Sequence, residues 1–482
     1  MRRSHQLLLT GLLVAAMAGC LPEKRVLWSP DGTRALLRGD DGLYLCDATG
    51  KLSARLVENA GSVVWLPDSS GVVFSRHQAA KSWTDMAAVL TAEQRSDIES
   101  RGAKLRAEVL AHEGPWDTFK PSAIQGLSGG EALALFLYMR EQHSAGLPEK
   151  LGDKWQEFQR IEGKVYLLER ATVSVNGVWK AGPVLHRAVD DFEELRVSPD
   201  GRLLAFRRPM GNEDSTQRLY VMPVDGQVAP RAVAAHISLF YDWSPDGKAL
   251  VYAATKDPLP PNSDELRLGT LKRQVVCAAD GTLFEDLPAA EELAGLVFQR
   301  ELRVRCLRDG RIIFACLEMQ LPCTAKDMPD RVGLFAVEPQ RHPGVTRLIP
   351  RQVQADLPAI ALFEISPDEQ RVSIADTDGR VVVLDLASGG VCEVVSAEEV
   401  DHLRAEPSWR SPAELCFVTA PPVESGQRRG QVVLARLDWE HCTASRSVLS
   451  DNWPKATCDS FLGDSSSGQT PANQSEQSSG NQ

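Results

Sequence analysis

Short apolar segments rich in β-branched and aromatic residues recur along the chain, each following a polar turn. Arg34 to Leu37, Val72 to Phe74, Leu203 to Phe206, Ala249 to Tyr252, Arg311 to Phe314, Arg371 to Ile374 and Leu415 to Val418 all read as strands. The turn in front of each is nearly the same: Trp28-Ser-Pro-Asp-Gly32, Trp65-Leu-Pro-Asp68, Val197-Ser-Pro-Asp-Gly201, Trp243-Ser-Pro-Asp-Gly247 and Ile365-Ser-Pro-Asp368, with degenerate copies at Cys306-Leu-Arg-Asp-Gly310 and Trp409-Arg-Ser-Pro412. Proline fixes φ, aspartate bonds the backbone that follows it, and glycine supplies positive φ, so each copy predicts a tight corner between two strands.

Successive copies are separated by 37, 132, 46, 63, 59 and 44 residues. All but the second interval suit one four-stranded unit, and seven units follow. Further strands recur within them, at Leu43 to Cys46, Val165 to Leu168, Leu219 to Met222, Leu266 to Leu271, Leu334 to Val337, Val381 to Leu384 and Val432 to Leu437. The long second interval holds an extra segment, residues 78–162, with helical character. Thr91 with Gln94 and Ser128 with Glu131 form capping boxes, and Ile98, Leu105 and Val109 recur at helical spacing. The run from Ala132 to Met139 is apolar nearly all round and predicts a buried helix.

If the corner joins the innermost strand to the second, the insertion joins the second to the third and emerges on the opposite face. The connections Ala254 to Glu265, Leu317 to Arg331 and Ala420 to Gly430 share that placement. Loops on a rigid scaffold carry function, so this opposite face is the expected docking surface.

The repeat resembles that of TolB-type, WD-repeat-like β-propellers, over roughly residues 24 to 450. The resemblance implies an all-β fold, a seven-bladed β-propeller with a helical insertion in the second blade; six or eight blades stay open, because the fifth and seventh units are degenerate. It also implies that the corner residues are structural rather than catalytic. A radial array protects sheet edges and lets several hundred residues act as one body.

The ends of the chain are different. Arg2 and Arg3 precede an apolar stretch from Leu7 to Met17, about half the length of a bilayer-spanning helix, and Met17-Ala-Gly-Cys20 follows. Residues 1–19 therefore read as a signal peptide, and the junction resembles a bacterial lipobox. That implies acylation of Cys20, with residues 20–23 forming the lipidated N-terminus, and a lipid-anchored place in the cell envelope. The absence of Asp after Cys20 resembles outer-membrane sorting, facing the periplasm, in a cell with two membranes. Beyond Leu462 the chain is polar and reads as a solvated tail, residues 463–482.

The formal charge is −12, and loss of Arg2 and Arg3 with the leader makes the body more acidic. Such a body disfavours nucleic acid as a partner. Nine cysteines follow Cys20, an odd number. Connectivity is open, with Cys316–Cys323 and Cys442–Cys458 the nearest pairs in sequence. No cysteine or histidine cluster has zinc spacing, and Asp376-Thr-Asp-Gly379 reads as a hairpin turn rather than a calcium loop.

Two matches in the insertion lack the context their chemistry needs. Gly126-Leu-Ser-Gly-Gly130 fits a nucleophile elbow but follows a polar stretch rather than a buried strand. Leu127-Ser-Gly-Gly-Glu131 resembles the signature loop of ABC transporter ATPases, in a chain with no phosphate-binding G-x-x-x-x-G-K-[ST] loop. Helix capping by Ser128 accounts for both. The expected role is thus a membrane-tethered scaffold for an envelope protein or peptide, with no cofactor. The alternative is a propeller enzyme or small-ligand sensor using the central channel, and the oligomeric state is open.

Overall fold

In the computed structural model each Ser-Pro-Asp corner closes on itself. Ser29, Ser198, Ser244 and Ser366 donate their hydroxyls to the aspartate two residues on, at 2.5, 2.6, 2.5 and 2.6 Å. Their amides donate to the carbonyl five residues on, and their hydroxyls accept from that residue's amide at 2.9–3.1 Å. The fifth motif residue takes positive φ, +68° at Gly32 and +69° at Gly247. Two copies without glycine still adopt it, with φ +60° at both Ser69 and Glu369. Each recovers something for that strain. Ser69 Oγ accepts the Asp31 amide at 3.1 Å, and Glu369 accepts the Arg308 amide at 2.7 Å, so both bond the corner before them.

The structure describes residues 24–450 except 40, 212–213, 257–266, 299–302, 318–331, 342–347, 349, 355–356, 358–359, 377–379, 397–405 and 420–430. The leader, Cys20, the polar tail, Cys323, Cys458 and most of the three long connections named above lie outside the described residues. The fold is mostly β, with many four-stranded antiparallel sheets in a β-propeller-like arrangement. The first sheet holds β1 (Val26–Trp28), β2 (Arg34–Gly39), β3 (Gly42–Asp47) and β4 (Val57–Glu58). The second holds β5 (Ala60–Trp65), β6 (Gly71–Ala80), β7 (Gly163–Val173) and β8 (Trp179–Ala188).

The third sheet has seven strands: β9 (Glu193–Val197), β10 (Leu203–Gly211), β11 (Asp214–Pro223), β12 (Arg231–Trp243), β13 (Ala249–Ala254), β14 (Arg267–Val275) and β15 (Glu291–Phe298). It is two four-stranded units sharing β12, whose first half pairs with β11 and whose second half pairs with β13. The chain crosses between them at His236, with φ +52°. The fourth sheet holds β16 (Val304–Cys306), β17 (Ile312–Leu317), β18 (Val332–Val337) and β19 (Arg351–Gln352). The fifth holds β20 (Ile360–Ile365), β21 (Arg371–Asp376), β22 (Val381–Asp385) and β23 (Val391–Val395). The last holds β24 (Ser408–Ser411), β25 (Glu414–Thr419), β26 (Gln431–Asp438) and β27 (Thr443–Ser450).

The sheets meet in cyclic order. β1 packs on β5, β5 on β9, β9 on β12, β12 on β16, β18 on β20, β20 on β24, and β24 back on β1. The first strand of each unit is therefore the inner one, and its corner lies on one common face. The last joint closes without a shared strand. There Arg410 lies 4.9 Å over the Trp28 ring and donates to the Gly32 carbonyl at 3.2 Å. An apolar cluster at the same joint mixes Val26, Trp28 and Leu37 with Cys416, Val418 and Val432.

Five α-helices lie between β6 and β7: α1 (Trp83–Ala87), α2 (Ala92–Ala111), α3 (Gly129–Gln142), α4 (Leu147–Leu151) and α5 (Lys154–Gln159). Thr91 and Ser128 cap α2 and α3 with the capping boxes read from sequence. Ile98, Leu105 and Val109 pack with Leu135, Leu137 and Met139 in one core. β6 and β7 run further than the sequence suggested, pairing as far as Ala80 with Gly163, because Ala80 and Val165 belong to the helical core.

One pairing from the sequence is corrected. Cys442 bonds Cys392, not Cys458, tying the turn before β27 to β23 in the neighbouring sheet. Sequence separation was a poor guide because adjacent sheets bring together residues 50 positions apart. Cys316 is buried on β17. Replacing Cys392 and Cys442 by alanine is expected to cost about 2–4 kcal/mol, read from urea unfolding. Gly247→Ala meets no atom closer than 3.5 Å, so only its φ is penalised; the expected loss is about 1–2 kcal/mol in the same assay.

Candidate functional site at the ring axis and corner face

The residue just before each motif's first position lies on the innermost strand. These residues are Leu27, Val64, Arg196, Asp242, Arg305, Glu364 and Ser408, and four of the seven carry charge. Two residues further upstream stand Arg25, Ser62, Glu194, Phe240, Arg303, Leu362 and Glu406. Because a strand alternates with period two, Phe240 and Leu362 project to the same side as Asp242 and Glu364. Reading the corners as purely structural passed over these residues. A charged side chain at a fixed offset inside an apolar strand was the signal that could have found them.

The charges pair with one another around and across the axis. Arg196 bonds Glu194 at 2.7 Å and Asp242 at 3.2 Å, and Asp242 accepts the Cys306 amide at 2.9 Å. Arg305 and Lys24 both meet Glu364, at 2.9 and 3.2 Å. Arg303 grips Glu406 with both terminal nitrogens, its Nη2 at 2.9 Å, and lies 4.5 Å over the Phe240 ring. Burial alone would raise the Glu194 carboxyl, but Arg196, Arg207, Arg303 and Arg305 outweigh it and hold the group at about 2. Glu364 is likewise held well below the usual range: burial opposes it, and Arg305, Lys24 and Arg303 prevail.

Above this network, on the corner face, opens a cavity of about 340 Å³. Val64, Val197, Pro199, Trp243 and Pro245 give it apolar walls, Arg196 and Asp242 line it from the axis, and Cys306, Arg308 and Glu369 complete it. Arg308 is largely exposed and donates to Glu369 at 2.9 Å. Exposed aliphatic residues share the face: Val175 and Val178 between β7 and β8, Val228 between β11 and β12, and Val391 at the start of β23. The concave surface thus lies opposite the face expected from loop length. Loop length reports where chain is tolerated, whereas the cavity follows from the converging corners.

The helices are seated on the other face. Asp190, between β8 and β9, accepts the Ser128 hydroxyl at 2.7 Å and the Gly130 amide at 2.9 Å, and pairs with Arg208 at 3.3 Å. A carboxylate at the start of α3 also complements the helix dipole. Ser128 at the same time accepts the Glu131 amide, so its hydroxyl serves the cap and the seat. A Cβ on Gly130 would lie 2.0 Å from the Val189 carbonyl, which explains the last glycine of Gly126-Leu-Ser-Gly-Gly130. Beside the seat, burial and then Glu193 push the Asp191 carboxyl up to about 6, and burial and Arg208 lower His186 to about 4.

Among the described residues, no three His, Cys, Asp or Glu side chains are grouped to hold a metal. His112 packs at a tilt against Trp116 and Phe119, and His441 pairs with Asp438 at 2.9 Å. His342, His402 and residues 377–379 of the calcium-like turn lie outside the described residues. Asp376 itself is engaged by Arg380 at 2.8 and 3.0 Å.

No family model matches the chain, and no curated protein matches it. Solved structures are similar only at low identity. The tricorn protease aligns at 11% identity with a TM-score of 0.39, over 78% of this chain and 30% of its own. Oligogalacturonate lyase from Vibrio parahaemolyticus aligns at 12% and 0.38, over 73% of each chain. Hsv2 of Kluyveromyces lactis aligns at 8% and 0.40, over 89% of this chain and 100% of its own.

The axial charges give a signed pH prediction. Glu194 has a depressed folded value, so its stabilisation is present above its unfolded value of about 4.5 and is lost as pH falls through about 2. Glu194→Gln is therefore expected to be less stable than the parent at pH 7, with the gap closing between about pH 4.5 and 2. Asp191 has the opposite sign. Asp191→Asn should gain stability at pH 7, and the gain should shrink as pH falls through about 6, as read from urea unfolding across that range.

Proposed function

We propose that this chain is a lipid-anchored envelope protein whose seven-bladed β-propeller is a scaffold for a partner protein or peptide. In this reading the two halves of the seven-stranded sheet count as separate blades, giving seven units to match the seven corners, and residues 78–162 form a helical insertion in the second blade. The carrying observation is the contrast between axis and face. The axial charges are taken up by their own ion pairs, while the corner face offers an apolar-walled cavity and, elsewhere on that face, exposed aliphatic residues. Apolar anchors inserted into a concave patch are the usual energetic centre of a protein interface.

The disulfide between Cys392 and Cys442 supports placement in an oxidising compartment such as the cell envelope, facing the periplasm. The anchor would be acyl chains on Cys20, and more than one chain is needed for stable attachment.

A photo-crosslinking amino acid at Arg308, which stands exposed beside the cavity, tests the scaffold reading in the native envelope. One stoichiometric protein adduct is the expected result. If no protein adduct forms and native mass spectrometry finds a small molecule retained by the purified chain, the ligand-sensor reading replaces this one.

A further inference from the structure

The chain enters the ring from the face that carries the helices. β1 runs toward its corner at Ser29–Gly32, so Lys24 stands at the other end of the axis, the end where β6 leaves for α1 and α5 returns to β7. Lys24 is fixed there, its ammonium 3.2 Å from Glu364, and the next residue's carbonyl accepts the Arg38 amide at 2.9 Å. Only Leu21, Pro22 and Glu23 separate Lys24 from Cys20.

Four residues reach at most about 13–14 Å. The head-group layer of one leaflet takes about 5–8 Å of that reach. Roughly 5–9 Å remain, less than the diameter of one helix, about 10–12 Å. A ring tethered this closely has no room for a helical layer between itself and the bilayer unless that layer touches lipid.

We infer that the helix-bearing face rests against the bilayer surface, making the helices a second membrane contact beside the acyl anchor and turning the corner-face cavity away from the membrane. This rests on the lipid-anchor reading of Cys20. The side chains available suit an interface. Trp116 and Phe119 cluster with His112 after α2, Trp155 stacks on Phe158 in α5, and all are half-buried. Tryptophan rings such as Trp116 and Trp155 settle at head-group depth.

The test uses the full acylated chain in phosphatidylcholine vesicles with nitroxide-labelled head groups. A fluorescent amino acid is placed at Glu113 or, separately, at Asn176; both are exposed, on the helical segment and on the corner face. Quenching at Glu113 is expected to exceed that at Asn176 at least threefold, and a thirty-residue Gly/Ser spacer between Glu23 and Lys24 should abolish the excess. Equal or reversed quenching in a chain whose Cys20 is acylated by mass spectrometry overturns the orientation and leaves the anchor standing. An unacylated Cys20 in the envelope fraction overturns both.

Discussion

The inner strand of a radially arranged sheet has one edge with no neighbouring strand, and its carbonyls must still be satisfied. Three of the four corner tryptophans do this from the next four-stranded unit. Trp65 donates its indole N–H to the Leu27 carbonyl at 2.9 Å, Trp243 to Arg196 at 3.0 Å, and Trp409 to Glu364 at 3.2 Å. Each acceptor is the residue just before the motif in the preceding unit. The motif therefore does two things at once: Ser-Pro-Asp-Gly turns the chain, and the tryptophan in front of it fastens that turn to its neighbour.

Where the tryptophan is absent, another group takes the joint. Cys306 stands in its place on β16, and its amide bonds Asp242 across the gap. Ile365 stands there on β20, and the same joint is carried by Arg305 with Glu364 and by Arg308 with Glu369. The axial charges are thus part of the same fastening. Buried ion pairs give little net stability, since desolvation opposes their attraction, but removing one partner leaves a costly unpaired charge.

The two faces carry different work as a consequence. Converging corners make the cavity, so its walls are motif residues and their immediate neighbours, held by backbone hydrogen bonds. The opposite face collects the second-to-third connections, of which the helical segment is the largest, and Asp190 seats that segment through Ser128 and Gly130. Asp190 and Asp191 stand side by side at the seat, and both are raised chiefly by burial. At Asp190, Arg208 and the bonds from Ser128 and Gly130 oppose the effect of burial without cancelling it.

Local chemistry was legible in the sequence because its cause is local. Proline, aspartate and glycine specify a corner wherever they stand together, capping boxes at Thr91 and Ser128 specify helix starts, and β-branched runs specify strands. These needed no partner from elsewhere in the chain. The tertiary structure decided what depends on which sheet stands next to which: the Cys392–Cys442 bond, the pairing of Arg303 with Glu406 103 residues away, the cavity on the corner face, and the carboxylate that receives Gly126-Leu-Ser-Gly-Gly130. Each of these is a contact between units, and sequence spacing within a unit carries no information about it.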